Sequence, residues 1–176
     1  MVFRTLFKTR PAIAAGRALM TQAAAQAREP VFYAQWEAPD TREGRFELLT
    51  LHVLLLARRL KGHGPQAAET AQGLIDAYFE NLDISLREFG TGDLSISKKM
   101  NKLGQAFFGR AKALEDAFDA LPNETPLEEV IARTVLAEGG SPEPFVRYVL
   151  AADRTLEGLP LEQVLAGEAA WPPVRP

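Results

Sequence analysis

The sequence predicts an all-α protein, a single compact domain of about six to seven helices. Its 176 residues, 47% hydrophobic and 24% charged, are typical of one globular domain. Strand signals are missing, because no run of alternating Val, Ile, Thr and aromatic residues lies between turn residues. Apolar residues instead recur at helical gaps of three and four positions. The longest such series is Ile96, Met100, Leu103, Phe107, Ala111, Leu114, Phe118 and Leu121.

The first predicted helix covers the Ala-rich stretch from about residue 13 to residue 27, and Pro30 ends it. We interpret residues 31–39 as a short irregular segment. Three aromatic residues fall within five positions of it: Phe32, Tyr33 and Trp36. A loop cannot cheaply leave so much apolar area in water, so we expect these rings to pack back onto the helices.

The second predicted helix begins at Asp40, which has the spacing of a capping box with Glu43. It runs to about residue 61, where Gly62 and Gly64 stop it. Its apolar residues lie nearly all round the helix, which predicts that it is the central buried helix.

Pro65 opens the next predicted helix, and a loop at 90–93 separates it from the helix that carries the long apolar series. Gly104 and Gly109 lie within that series. We expect them to let another backbone approach closely, since a glycine has no Cβ.

The C-terminal third predicts three more helices. Thr125–Glu128 combines an N-cap, a proline at the first position and a glutamate at the third, and this helix ends at 139–140. The next begins at 141–142 and ends near residue 158, and a short last helix covers 161–166. The expected core includes Phe46, Leu49, Val53, Leu56, Leu74, Tyr78, Leu82, Met100, Leu103, Phe107 and Leu114.

Several kinds of site are excluded by composition. The chain has no cysteine, so disulfides, thiolate metal sites, iron–sulfur clusters and cysteine nucleophiles are impossible. Two histidines cannot make a three-histidine metal site. There is no G-x-S-x-G, H-E-x-x-H or P-loop motif. We therefore assign no catalytic, cofactor-binding or metal-binding residue.

The longest apolar run, Leu48–Ala57, is about half of the roughly 20 residues that a membrane-spanning helix needs. We expect no membrane crossing. We also expect no secretory signal, since the N-terminus lacks an uninterrupted apolar core and a small-residue cleavage site.

His52 is the best candidate for a general base, and it lies in the most apolar predicted helix. A lone histidine there is far more often a hydrogen-bonded core residue. The alternative is a small helical protein or enzyme that binds a lipid or quinone, with His52 at the wall of a closed apolar pocket.

Charge is unevenly distributed along the chain. Residues 1–114 carry a net charge of +5 and residues 115–176 a net charge of −8. No acidic residue lies between Asp93 and Glu115. We hypothesise a docking surface for RNA, anionic lipid or an acidic protein, against the alternative of a solvated helix face. Its candidate residues are Lys98, Lys99, Lys102 and Arg110, with Arg58, Arg59 and Lys61.

Several strings, in their order and spacing, resemble the ubiquinol–cytochrome c chaperone family over about residues 18–120. The first strings are Ala27–Pro30, Phe32–Tyr33, Pro39–Thr41, Gly44–Phe46 and Leu51–His52. The later ones are Asp83, Ser85–Glu88, Gly90–Leu94, Lys98–Lys99 and Ala106–Arg110.

The resemblance implies a non-enzymatic factor that assists assembly of the cytochrome bc complex and binds newly made cytochrome b or another bc subunit. Mitochondrial relatives act with a small partner protein and associate with the ribosome. We therefore expect a small assembly factor, and the ribosome or an anionic membrane surface, as further partners. We expect no DNA partner. The family carries no catalytic residue over to this chain.

The expected organisation is a basic N-terminal segment at 1–17, a helical chaperone domain at 18–170 and a Pro-rich tail at 171–176. About 17 residues before the resemblance are few for a transit peptide. We therefore expect a bacterial protein in the cytoplasm, peripheral to the inner membrane; a eukaryotic source would place it in the mitochondrial matrix.

Overall fold

All regular elements are α-helices in residues 10–88 and 93–175, which are the part of the chain that the computed structural model describes. Within these ranges six helices have ten or more residues and two have five. They are α1 (Pro11–Gln26), α2 (Pro30–Ala34), α3 (Arg42–Leu60), α4 (Pro65–Glu88), α5 (Asp93–Asp119), α6 (Thr125–Thr134), α7 (Glu143–Gly158) and α8 (Leu161–Leu165). The predicted all-α fold is confirmed.

The central helix is α3, as predicted, and every residue from Thr50 to Leu56 in it is buried. The predicted cap is wrong by one residue. Thr41 is the N-cap, and its hydroxyl accepts a hydrogen bond from the Gly44 N–H at 3.1 Å. Asp40 instead accepts a hydrogen bond from Arg45 at 2.7 Å, because its carboxylate meets the guanidinium one turn further on.

The closest helix pair is α1 against α4, which cross at Gly16 and Gly73. A Cβ built on Gly16 would lie 2.4 Å from the Leu74 nitrogen and 2.5 Å from the Thr70 carbonyl oxygen. The expectation for Gly104 and Gly109 is wrong, since a Cβ on either meets no described atom within 4 Å. Helical periodicity shows where a glycine lies, but it does not show which neighbour crosses it.

The aromatic segment forms a short helix, α2, where an irregular segment is predicted, because Pro30 starts a helical turn at its first position. Its rings pack inward as expected. Phe32 is fully buried, with its ring centroid 5.5 Å from that of Phe145 and 5.0 Å from that of Tyr148. Trp36 packs against the same Phe145 ring at 5.3 Å.

The expected core is largely correct. Seven of the eleven residues are buried, including Leu74, Tyr78 and Phe107. The other four are half-buried and pack against this core: Phe46, Leu49, Met100 and Leu103. These four lie where the core meets the surface.

The cap and the end predicted for α6 are wrong. Its N-cap is Glu124, and the Asn123 side chain accepts the Thr125 N–H at 3.2 Å. The helix ends at Thr134 rather than at 139–140, and the chain then turns until α7 begins.

The segment after α8 packs across α1 and α3. The Gln22 amide donates to the Gly167 carbonyl and accepts the Ala169 N–H at 2.9 Å. The Trp171 ring lies 5.0 Å from the His52 ring. The proline-rich end of the chain is therefore part of the packed structure at Trp171.

Candidate functional site

An open cleft of about 950 Å³ lies where five segments meet. Its walls are the C-terminal end of α1, α2, the beginning of α3, the end of α4 and the first half of α5. These segments lie far apart in the sequence, and the packing of α1 and α3 against α4 brings them together.

The floor of the cleft is apolar. It consists of Ala24, Ala27, Tyr33, Phe46, Leu49, Leu82, Leu86 and Leu103. The one hydroxyl among these side chains is satisfied, since Tyr33 donates to the Ala27 carbonyl at 2.7 Å. The floor therefore offers a ligand apolar contact and no free polar group from its side chains.

Charged side chains form the rim, and positive charges outnumber negative ones. The basic members are Arg28, Arg42, Arg45, Lys99 and Lys102. The acidic members are Asp40, Glu43 and Glu88. The hydrogen bond from Arg45 lowers the pKa of Asp40, so this carboxylate stays ionised. The cleft thus combines an apolar floor with a positively charged rim.

His52 lies away from this cleft, in the buried centre of α3. Its Nδ1 is 2.7 Å from the Leu48 carbonyl oxygen and its Nε2 is 2.8 Å from the Tyr148 hydroxyl. A carbonyl only accepts, so Nδ1 carries the proton and Nε2 accepts from the tyrosine. Burial lowers the pKa of His52 to about 4. This neutral ring, with both nitrogens bonded, is a structural core residue.

Only two of the four predicted basic residues on α5 line the cleft. Lys98, Lys99 and Lys102 are exposed, and the last two lie on the cleft rim. Arg110 forms an ion pair with Glu47, and its guanidinium lies 5.6 Å from the Phe46 ring centroid. Arg110 therefore stabilises the packing of α5 against α3.

The other predicted group lies at the far end of α3 and holds helices together. Arg58 forms ion pairs with Glu115 and with Asp153, the latter at 3.1 Å. Lys61 also pairs with Glu115 at 2.7 Å, and its hydrogen bond is the main reason that the pKa of Glu115 is lowered. Arg59 donates to the carbonyls at the end of α7, Leu156 at 2.7 Å and Leu159 at 3.0 Å. A partner for these residues stays a prediction.

Sequence reasoning missed three rim residues, Arg28, Arg42 and Arg45. They come from the end of α1 and the beginning of α3, and no local pattern connects them with the lysines of α5. In the described residues no cluster of three or more His, Cys, Asp or Glu side chains could hold a metal ion. No helix there is long and apolar enough to cross a membrane.

An open apolar groove with a charged rim is typical of proteins that bind a segment of another polypeptide. Comparison identifies the class more closely. The model of the ubiquinol–cytochrome c chaperone family matches residues 34–171. The chain belongs to this family, which confirms the resemblance. The match covers the strings from Pro39 onward and extends beyond residue 120, whereas the strings at 27–33 lie before it. The chain is therefore a chaperone of cytochrome bc complex assembly.

One solved structure is similar over nearly the whole chain, the crystal structure of the Cbp3 homolog from Brucella abortus. It is 34% identical, with a TM-score of 0.84, and the match covers 93% of this chain and 92% of the other. No curated protein matches the chain.

Proposed function

We propose that this chaperone binds an apolar segment of newly made cytochrome b in the cleft between α3, α4 and α5, without catalysing a reaction. The observation that supports this most directly is the cleft itself, with its apolar floor and positive rim. A membrane protein segment outside the bilayer exposes apolar side chains, and covering them is the task of an assembly chaperone.

The cleft is large for a small-ligand pocket and is open to solvent, as a site for a polypeptide segment must be. Its volume of about 950 Å³ is at the upper end of the range of roughly 300–1,000 Å³ for small-ligand pockets. The cleft is open to solvent rather than enclosed, so one face of a helix can be laid in and released. Apolar side chains of such a helix would be buried against Phe46, Leu86 and Leu103.

The rim adds selectivity. Positive charges at the cleft edge attract segments whose apolar face is flanked by acidic residues, and they repel basic ones. Contacts of this kind raise the association rate more than the final affinity. The rim therefore favours capture of the client followed by its release.

In this proposal the protein works in the cytoplasm at the inner face of the membrane, or in the matrix if the source is mitochondrial. A small assembly factor and the ribosome are further partners that the family membership suggests. His52 is buried and both of its ring nitrogens are hydrogen-bonded, which supports a role for this residue in stability rather than at the wall of a closed ligand pocket.

Photo-crosslinking tests the cleft directly. A photoreactive residue replaces either Ser85, which lines the cleft, or Glu129, which is exposed on α6. We expect crosslinks to cytochrome b, identified in membranes of the native source, from position 85 and not from position 129. Equal crosslinking from both positions, or none from position 85, would contradict the proposal.

A matched pair of substitutions gives a second measurement. Leu86 in the cleft and Leu161 on α8 are both half-buried leucines outside the main apolar core. Leu86→Asp is expected to reduce the cytochrome b that co-purifies with the chaperone, whereas Leu161→Asp leaves it unchanged. Melting curves for both variants check that each one is folded. Full retention of cytochrome b by a folded Leu86→Asp protein would count against the cleft.

A further inference from the structure

The second half of α5, from residue 105 onward, is firmly attached to the rest of the protein. Phe107, Leu114 and Phe118 are buried in the main apolar core. The Phe107 ring centroid lies 5.1 Å and 5.5 Å from those of two aromatic rings of α4. Arg110 and Glu115 add ion pairs with residues of α3. This half of the helix is therefore held by both apolar burial and charge.

The first half, described here from residue 95 to residue 103, is held by fewer side chains. One side chain of this stretch is buried, Ile96. Met100 and Leu103 are half-buried and pack against the edge of the apolar core. The other six side chains of residues 95–103 are exposed. Movement of the first half as a unit would therefore remove little apolar surface from the interior.

Gly104 lies at the junction of the two halves. Inside a helix of 27 residues, a glycine is less favourable than an alanine, and it is a residue at which helices bend. A Cβ built on Gly104 meets no described atom within 4 Å, and its φ is not positive. Neither a close neighbour nor an unusual backbone conformation requires glycine at this position. Its physical effect is to let the helix bend there.

The first half of α5 is also a wall of the cleft. Lys99 and Lys102 lie on the rim, and Leu103 belongs to the floor. A helix with a diameter of 10 Å occupies about 120 Å³ per residue, so the cleft of about 950 Å³ has the volume of about eight helical residues. A longer apolar segment is therefore enclosed only if a wall moves outward.

We propose that residues 95–103 of α5 swing outward about Gly104 and act as a gate through which an apolar client segment enters and leaves the cleft. Phe107, one turn further on, keeps the second half in place during this movement. Burial of Ile96 favours the closed position, so the open form is a minor population that a client selects. This gate rests on the proposed function, because it regulates access to the same cleft.

Gly109 provides a matched control within the same helix. A Cβ built on it also meets no described atom within 4 Å. It lies between Phe107 and Arg110, which are both held in place, so a stiffer helix at Gly109 does not restrain the first half. Gly104→Ala and Gly109→Ala thus make the same chemical change at the proposed hinge and within the anchored half.

Double electron–electron resonance measures the movement in the protein alone. The chain has no cysteine, so pairs of introduced cysteines carry the spin labels. One pair joins Gln35, which follows α2, to Asn101 in the first half of α5, and the reference pair joins Gln35 to Asp119; all three positions are exposed. We expect a second distance for the Asn101 pair and a single distance for the Asp119 pair.

Gly104→Ala should lower the population at the second distance about fivefold, which is the preference for alanine over glycine at one helical position. Gly109→Ala should leave that population unchanged. A single distance for the Asn101 pair in the wild type, or equal losses in the two variants, would overturn the hinge.

The rate of client uptake tests the gate. With the photoreactive residue at position 85, the initial rate of crosslinking to cytochrome b should fall about fivefold in Gly104→Ala and stay at the wild-type value in Gly109→Ala. Melting curves should show that both variants are folded and at least as stable as the wild type. A Gly104→Ala protein that has lost the second distance but crosslinks at the wild-type rate would overturn the gate.

Failure of the gate is distinguishable from failure of the proposed function. Normal crosslinking from position 85, in a protein whose Asn101 pair shows a single distance, would leave the proposed function in place and overturn the gate. A second distance without any crosslinking from position 85 would refute the proposed function, and with it the gate for this client, while the hinge at Gly104 would stand.

Discussion

Replacing Gly16 by alanine tests the packing that shapes one wall of the cleft. The added Cβ would lie 2.4 to 2.6 Å from three backbone atoms of α4, in Thr70, Gly73 and Leu74. Normal carbon contacts need more than 3 Å, and backbone atoms cannot rotate away as a side chain does. Helix α1 must therefore move outward by about 1 Å, and overpacking of this kind costs about 1–3 kcal/mol.

Gly109→Ala is the control, because it makes the same chemical change within α5 at an exposed position with open space. Alanine has a higher helix propensity than glycine, so this variant should gain up to about 1 kcal/mol of unfolding free energy. Urea denaturation measures the unfolding free energy of both variants. Each should show a shifted midpoint with an unchanged slope of unfolding free energy against urea concentration. A Gly16→Ala protein as stable as the wild type would refute the close crossing of α1 and α4.

Other predictions concern the core, the buried histidine and one strained residue. Phe107→Ala should cost about 3–5 kcal/mol in a denaturant titration, and Leu103→Ala less, because Leu103 is half-buried at the cleft; equal losses would contradict the burial described. The pKa of His52 is about 4 in the folded protein and 6.5 in the unfolded chain, so the folded state favours the neutral ring. The stability that this preference contributes is fully present above pH 6.5. That stability, up to about 3 kcal/mol, is lost as the pH falls from 6.5 to 4, and His52→Gln should flatten this slope of unfolding free energy against pH while leaving client capture intact. Glu37 has a φ of 60°, in the left-handed region that favours glycine. Glu37→Gly should therefore raise the unfolding free energy by up to about 1 kcal/mol, and the melting temperature with it. A lower melting temperature would contradict that strain.

The helices could be predicted from the sequence because helical periodicity is local. The apolar series from Ile96 to Leu121 predicts both the existence of α5 and the face that it buries, and the all-round apolar α3 predicts the centre of the fold. Helix ends were less predictable. Thr41 caps α3 in place of Asp40, because the choice between two adjacent capping side chains depends on how Arg45 engages Asp40.

The cleft could be predicted only in part, since it depends on contacts between distant segments. Lys99 and Lys102 attract attention by their charge, whereas Arg28 and Arg45 join them only after the helices pack. Conversely, Arg110 looks available in the sequence, but its partner Glu47 lies 63 residues away. A run of positive charge identifies candidates and does not show which of them are already paired.

The hydrogen bonds from Gln22 to the segment after α8 have a consequence for the order of folding. They connect positions 145 and 147 residues apart, so α1 completes these contacts only after the segment that follows α8 has been synthesised. Such non-local contacts raise the contact order and slow folding. A chain interrupted before Gly167 would leave both hydrogen-bonding groups of Gln22 without these partners. Helix α1 of this chaperone therefore lacks part of its native packing until residues 167–169 have left the ribosome.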